Sequence, residues 1–510
     1  MPNARAPQFK QTIQLAERTL VQCAFLLGFR TVQASRAKTP SKTIPISAAP
    51  DAGADRFMVD EQSKIYPRSV KGYFANWRWF MVWLTQLVFY GLPWLTWGQR
   101  PSVLFDLSTR RFYIFDLVLY PQDFIYLTGL LVISAMSLFL FTAVAGRLWC
   151  GFACPQTVYT EIFLWIERRF EGDRSARMRR DAQGFSMDKL WRKSGKHGTW
   201  LVVGLWTGFT FVAYFTPIRQ LAQAVMSLNL SSWEIFWSVF YGLATYGNAG
   251  FLRELVCKHM CPYARFQSAM FDKDTLIVTY DAQRGEPRGA RSRQANAASL
   301  NLGACVDCSL CVQVCPTGID IRQGLQYECI QCGACADVCD TVMNKVGYAP
   351  GLVKFSTENA INKQWSSAQT WKRVLRPRVL LYTAVLLCLM SAMVASLALR
   401  TPFRVDVERD RGVMARVVGA GRVENVYRLQ IMNATEADQR YRIRVGGLAG
   451  LSITSQDTVT VQATQAQTLP VRVQGLPDAM TAGVHQIHFD IESMDGSGRV
   501  SEQSTFIVPQ

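Results

Sequence analysis

Histidine is scarce in this 510-residue chain: only His197, His259, His485 and His488 occur, and none lies inside a long apolar run. A membrane b-type cytochrome holds its haems through pairs of intramembrane histidines, so that class is excluded. No P-loop, dinucleotide glycine fingerprint or Ser/His/Asp signature stands out, which leaves phosphate cleavage, nicotinamide chemistry and acyl transfer without a motif. Acidic residues are also in deficit, 38 Asp+Glu against 55 Lys+Arg, for a formal charge of +17. At 49% hydrophobic residues the chain is not mostly disordered. A mean hydropathy of only +0.06 shows that it is not membrane from end to end. A basic surplus of this size points to nucleic acid, anionic lipid or membrane orientation, according to where the charges sit.

Five stretches are apolar over spanning length, near 78–97, 124–146, 200–217, 233–252 and 379–399. Trp77, Trp79, Trp94, Trp97, Trp149, Trp200 and Trp233 flank them as interfacial anchors do. Five spans place 1–78, 147–199 and 253–378 on one side with net charges of +7, +5 and +5, while 98–123, 218–234 and 400–510 each sum to zero. The positive-inside rule, counted over the short loops, sets the N-terminus in the cytoplasm. The nucleic-acid alternative falls away.

The expected organisation is multi-domain. Residues 1–77 form a cytoplasmic arm, with a short apolar run Leu20 to Phe29 that makes a poor signal peptide and a Pro/Ser/Ala-rich linker near 35–54. Residues 78–253 form a four-helix membrane domain, 254–378 a cytoplasmic segment, and 379–399 the fifth transmembrane helix of an α-helical membrane bundle. Residues 402–510 contain no Cys and no Trp. Their alternating runs, such as Tyr427 to Ile431, Tyr441 to Val445, Leu469 to Val473 and His485 to Ile491, read as a periplasmic all-β immunoglobulin-like sandwich without a disulfide. His485 and His488 fall on opposite faces of one strand and cannot easily chelate one metal.

The cysteines are concentrated: 14 in all, eight of them between 305 and 339. Cys305-x2-Cys308-x2-Cys311-x3-Cys315-Pro316 is followed by Cys329-x2-Cys332-x2-Cys335-x3-Cys339. In this bacterial ferredoxin pattern three thiolates of each run hold one cube and the fourth crosses to the other cluster. Cys305, Cys308, Cys311 and Cys339 are therefore expected to hold one [4Fe-4S] cluster, and Cys329, Cys332, Cys335 and Cys315 the second, in an inserted α+β 2[4Fe-4S] ferredoxin domain at about 295–345. Structural zinc sites instead pair their cysteines across a longer gap. Asp340 stands where the first run has proline.

A twin motif, Cys150-x3-Cys154-Pro155 and Cys257-x3-Cys261-Pro262, follows the second and fourth apolar stretches. Cysteines four apart share a helix face, and the proline marks a helix end, so each pair reads as the C-terminal end of a helix at the membrane surface. Thiolates favour Cu(I), zinc or iron-sulfur centres, and a helix C-terminus disfavours a bare thiolate, so metal holding or dithiol redox chemistry is expected. His259 and Met260 could add copper ligands. The segment Gly285-Glu286-Pro287-Arg288-Gly289 reads as a solvated turn.

Taken together, Lys64-Ile65-Tyr66-Pro67-Arg68, Trp149-Cys150-Gly151 through Cys154-Pro155-Gln156-Thr157-Val158, Cys261-Pro262-Tyr263-Ala264-Arg265-Phe266-Gln267, Arg284 to Gly289 and the double cluster motif resemble the CcoG/FixG/RdxA family of cytochrome c oxidase accessory proteins. The resemblance covers about residues 62–510. It implies a bacterial inner-membrane cupric reductase that carries two [4Fe-4S] clusters. Such a protein takes Cu(II) to Cu(I) for assembly of the cbb3-type oxidase, with Cys150, Cys154, Cys257 and Cys261 as candidate copper or redox thiols. Copper chaperones or transporters, oxidase assembly factors and a second copy of the chain are the implied partners. The alternatives are a NapH-like quinol-linked electron-transfer subunit and a non-redox assembly scaffold.

Overall fold

The computed structural model describes residues 64–98, 100–291, 300–410, 415–476 and 481–509. The expectations for residues 1–63, including the apolar run and the linker, lie outside them, as do residues 292–299 of the expected ferredoxin segment.

Helices stand at all five apolar stretches: α1 (Tyr73–Gly91), α2 (Phe124–Ala145), α6 (Met187–Val212), α8 (Ser232–Gly247) and α11 (Pro377–Ala398). Among the described residues two, Pro121–Ala145 and Pro377–Ala398, are long and apolar enough to cross a membrane. Their side chains face outward, with Ile125 74% and Leu381 61% exposed. A soluble core helix would bury them. α6 and α8 meet along a seam of small residues. A Cβ on Gly208 would lie 2.0 Å from Ser238 O, and one on Gly204 2.6 Å from Gly242 O, the close backbone approach that packs helices where no hydrophobic effect operates. α8 does not end cleanly but runs into two π-helical turns, Asn248–Leu252 and Val256–Met260, with Arg253 at φ +35° between them. π-helical turns of this kind accompany functional sites.

The short helix α3 (Leu148–Phe152) leads into α4 (Pro155–Glu171), then α5 (Arg174–Ala182). α4 is fixed by a buried charge network: Glu167 pairs with Arg177 at 2.8 Å and Arg253 at 3.1 Å, and Glu171 with Lys196 at 2.9 Å. Residues 64–68 are braced on the same assembly, since Lys64 and Tyr66 reach Asp181 at 2.8 and 2.7 Å and Arg177 donates to Pro67 O at 2.5 Å.

Beyond the small α7 (Ile218–Met226) and α9 (Pro262–Met270), the iron-sulfur segment is built on the antiparallel pair Ile277–Tyr280 and Val353–Ser356 and on α10 (Ala334–Val346). Val278, Ala336, Met343 and Leu352 form its core. The turn at 285–289 is solvated as expected at Glu286, Pro287 and Arg288, which are exposed, and its start is also tied to the first cysteine run. The N–H of Cys305 donates to Gly285 O at 3.3 Å and that of Ala304 to Arg284 O at 2.9 Å, and a Cβ on Gly285 would strike the Tyr280 ring.

The C-terminal residues form two antiparallel sheets. One orders Ser452–Ile453, Ala466–Gly475, Arg422–Asn433 and Phe403–Arg409, with Arg416–Val418 beside the third strand; the other orders Thr458–Val461, Gln439–Gly446, Gly483–Ser493 and Arg499–Val508. Phe403, Tyr427, Tyr441, Phe489 and Phe506 fill the space between them, and Tyr427 Oη ties the sheets by donating to Thr505 O at 2.9 Å. His485 and His488 do point apart, the first toward Thr481 O at 2.7 Å and the second toward Asp490. A small sheet, Val103–Asp106, Arg111–Ile114 and Leu117–Leu119, joins this sandwich to the helices. Tyr120 Oη donates to Asn433 O at 2.8 Å, and buried Asp123 pairs with Arg400 and Arg404.

Candidate iron-sulfur and thiol centre

The eight clustered cysteines gather into two groups. Cys315 lies within electrostatic reach of Cys329, Cys332 and Cys335, although it belongs to the first run. Cys339, from the second run, lies beside Cys305 and Cys311, and Cys311 beside Cys308. Cys315 of the first run thus lies near the second run, and Cys339 of the second run near the first. A small pocket takes Cys311, Cys315, Cys329, Cys332 and Cys335 in its wall together with Val278, Ile319 and Ile321, and no carboxylate or imidazole lines it. Soft, water-poor surroundings of this kind fit an iron-sulfur cluster. Exposure is uneven: Cys308 is exposed, whereas Cys305, Cys329 and Cys332 are buried. Asp340 accepts from the N–H of Gly351 at 2.6 Å, so it fixes the loop after α10 rather than leaving a gap where proline was absent.

The twin motifs converge as well. Cys150, Cys154 and Cys261 all lie within electrostatic reach of Cys257, although about 100 residues separate the motifs. The pairs are not on single helices, which corrects the reading of a shared helix face at a C-terminal end. Cys150 lies in α3 and Cys257 in a π-helical turn, while Cys154 and Cys261 are extended residues that precede Pro155 and Pro262 at the start of the next helix. The proline has no N–H to lose at that position. A helix N-terminus favours a thiolate, and the N–H groups of Gln156 and Thr157 point at the Cys154 sulfur. Burial opposes this, pushing the thiols of Cys150 up to about 11 and Cys257 up to about 12. Coordination to a metal would override that penalty, since a ligating thiol is deprotonated outright. Among the described residues no three His, Cys, Asp or Glu side chains stand close enough to hold a single ion as they are.

Several residues that no motif marked hold these groups together. Gln267, fully buried, accepts from Cys150 Sγ at 3.4 Å. Thr157 Oγ1 donates to Cys150 O at 2.5 Å, and the Gln156 amide spans Asn248 O and Arg253 O at the broken end of α8. Gly151 presses against the second cysteine group: a Cβ there would lie 2.6 Å from Ile330 O and 2.9 Å from Cys332 N. Cys150 and Cys257 pack with Val314, Ile330, Cys332 and Cys335 in one apolar cluster. The second group and the four thiols are thus direct neighbours.

Protein-family profiles match three stretches: a 4Fe-4S binding domain over 127–172, a 4Fe-4S dicluster domain over 252–358, and the IG-like fold at the C-terminus of FixG over 393–509. The chain is 35% identical to nitrogen fixation protein FixG of Rhizobium meliloti over 454 residues, 82% of this chain and 87% of that one. The chain belongs to the FixG/RdxA family. Proteins RdxA and RdxB of Cereibacter sphaeroides are 36% and 35% identical, over 76% and 88% of this chain and 84% and 96% of their own lengths. This FixG/RdxA-family member is an iron-sulfur protein with a C-terminal Ig-like β domain. The profile over 127–172 contains two cysteines, Cys150 and Cys154, so in a FixG/RdxA-family chain the first twin motif already lies within iron-sulfur territory.

Proposed function

We propose that the chain is a bacterial inner-membrane cupric reductase, crossing the bilayer five times with its N-terminus and iron-sulfur domain in the cytoplasm and its Ig-like domain in the periplasm. The observation that carries this reading is the convergence of Cys150, Cys154, Cys257 and Cys261 directly against the second cysteine group. Cys305, Cys308, Cys311 and Cys339 would hold one [4Fe-4S] cluster, and Cys315, Cys329, Cys332 and Cys335 the other. Bound there, the clusters supply single electrons.

Copper is the substrate. Cu(II) accepts one electron at the four-thiol site and leaves as Cu(I). Soft sulfur binds Cu(I) better than Cu(II), so the site favours the reduced form and keeps it for transfer. Gln267, Thr157 and Gln156 hold the thiols in place, and the apolar packing around Cys150 and Cys257 limits water. Resemblance to the oxidase accessory proteins supports Cu(I) delivery to cbb3-type oxidase assembly, through copper chaperones or transporters, with a homodimer as the candidate assembly. The names of the relatives connect FixG with nitrogen fixation. Replacing Cys150 and Cys154 with Ser is expected to lower copper bound per chain while the iron-sulfur absorbance stays. Unchanged copper stoichiometry would refute the site.

A second reading has a specific observation behind it. The 4Fe-4S binding profile covers Cys150 and Cys154, and these two with Cys257 and Cys261 make the four thiolates that a third cluster needs. Iron analysis separates the two readings: about eight atoms per chain for two cubes, about twelve for three. In the second case the Cys150/Cys154 variant loses iron and not only copper.

A further inference from the structure

Beside the four thiols and the second cysteine group lies a buried cation with no carboxylate partner among the described residues. Arg147, between α2 and α3, is 2% exposed. Its guanidinium donates to the carbonyls of Tyr327 and Ala264, and its backbone N–H donates to Gln331 Oε1 at 2.9 Å. Its Nε has no partner, and among the described residues no carboxylate lies within ion-pair distance. The other deeply buried cations behave differently: Arg177 and Lys196 pair with Glu167 and Glu171, and Arg78 with Glu161 at 3.7 Å. A buried charge without a counter-charge costs several kcal/mol, typically about 3–5, so something anionic must compensate Arg147. The titratable groups near it are the thiols of Cys150, Cys257, Cys261 and Cys329, and its own hydrogen bonds run to Gln331, between Cys329 and Cys332, and to Ala264, three residues after Cys261.

We infer that Arg147 is a counter-cation shared by two sulfur-ligated anionic centres, the four-thiol site and the second cluster, and that it favours the more negative, electron-bearing state at their junction. This rests on the reading of both cysteine groups as metal-bound. Arg147 is a positioning residue. Two of its donors fix the loop carrying Tyr327 and the start of α9 at Ala264, while its charge acts on both centres. Two cations lie near the first group: Arg322, beside Cys311, is neutralised by Asp320 and Asp307, and Arg291, which donates to the carbonyls of Cys305 and Ala304, is only partly buried.

The test is an EPR-monitored redox titration of the copper-free, detergent-solubilised full chain, comparing wild type with Arg147→Gln and Arg147→Lys. Arg147→Gln is expected to lower one of the two cluster midpoints and leave the other, and Arg147→Lys to restore it. Competition with a Cu(I) chelator is expected to show about tenfold weaker Cu(I) binding in Arg147→Gln. If that variant loses iron, Gln331→Glu places a negative charge beside the guanidinium and is expected to give the same one-sided fall. Two unchanged midpoints in an iron-replete variant, or equal falls in the Gln and Lys variants, would overturn the inference. A wild-type protein without two reducible clusters would instead sink the underlying functional reading.

Discussion

Gly151 shows how narrowly the junction is built. Any side chain there meets Ile330 O and the Cys332 backbone within 3 Å, and both are main-chain atoms that cannot swing aside. Gly151→Ala is expected to cost about 1–3 kcal/mol of overpacking and to be read as a lower thermal midpoint in detergent, together with selective loss of the second cluster's EPR signal. An Ala variant with full iron and an unchanged midpoint would show that the two groups are not in contact. At this scale the sequence marked the clustered cysteines as an iron-sulfur domain, because a tight cysteine spacing is a local pattern with few physical uses. It was silent on Arg147, Gln267 and Gln331, since their partners lie far along the chain: Gln331 is 184 residues from Arg147 and Gln267 is 117 from Cys150. Nothing local distinguishes a buried glutamine that orients a thiol from one on a surface.

Among the elements, the five helices were legible from apolar run length, while their ends were not. The first helix begins at Tyr73 rather than 78. Its free N–H groups at Phe74 and Ala75 are capped by Asp337 of α10, at 3.1 and 2.8 Å. A cap borrowed from 262 residues away leaves no local signal, and it fastens the iron-sulfur domain to the first helix through the field at the helix start. The twin motif was legible as chemistry and misleading as geometry, because proline ends one helix and begins another with equal ease. The α6–α8 seam gives a prediction of its own. Gly208→Leu must separate the helices, since its Cβ alone would lie 2.0 Å from Ser238 O. Destabilisation of about 2 kcal/mol or more is expected, seen as reduced accumulation in membranes and a lower thermal midpoint, and normal accumulation with an unshifted midpoint would contradict the seam.

In the proposed topology the +17 charge acts as an orientation signal, with basic loops on the side that carries both cysteine groups and neutral loops on the side of the sandwich. Under this topology alkaline phosphatase fused after Gln510 is expected to be active and the same fusion after Lys345 inactive, and the reverse pattern would invert the proposed orientation. The domain order was legible because each part has its own composition: apolar runs, then clustered cysteines, then cysteine-free alternation. How the parts join was not, since the small sheet at 103–119 and the Asp123 ion pairs serve contacts made after chain segments far apart have met. A cupric reductase must pass electrons stored in its iron-sulfur domain to copper. Anaerobic titration of the dithionite-reduced, desalted protein with Cu(II), following cluster absorbance and Cu(I) formation together, tests this directly. Recovery of the oxidised cluster spectrum with one Cu(I) formed per electron released is the predicted result, and clusters that stay reduced in the presence of excess Cu(II) would contradict it.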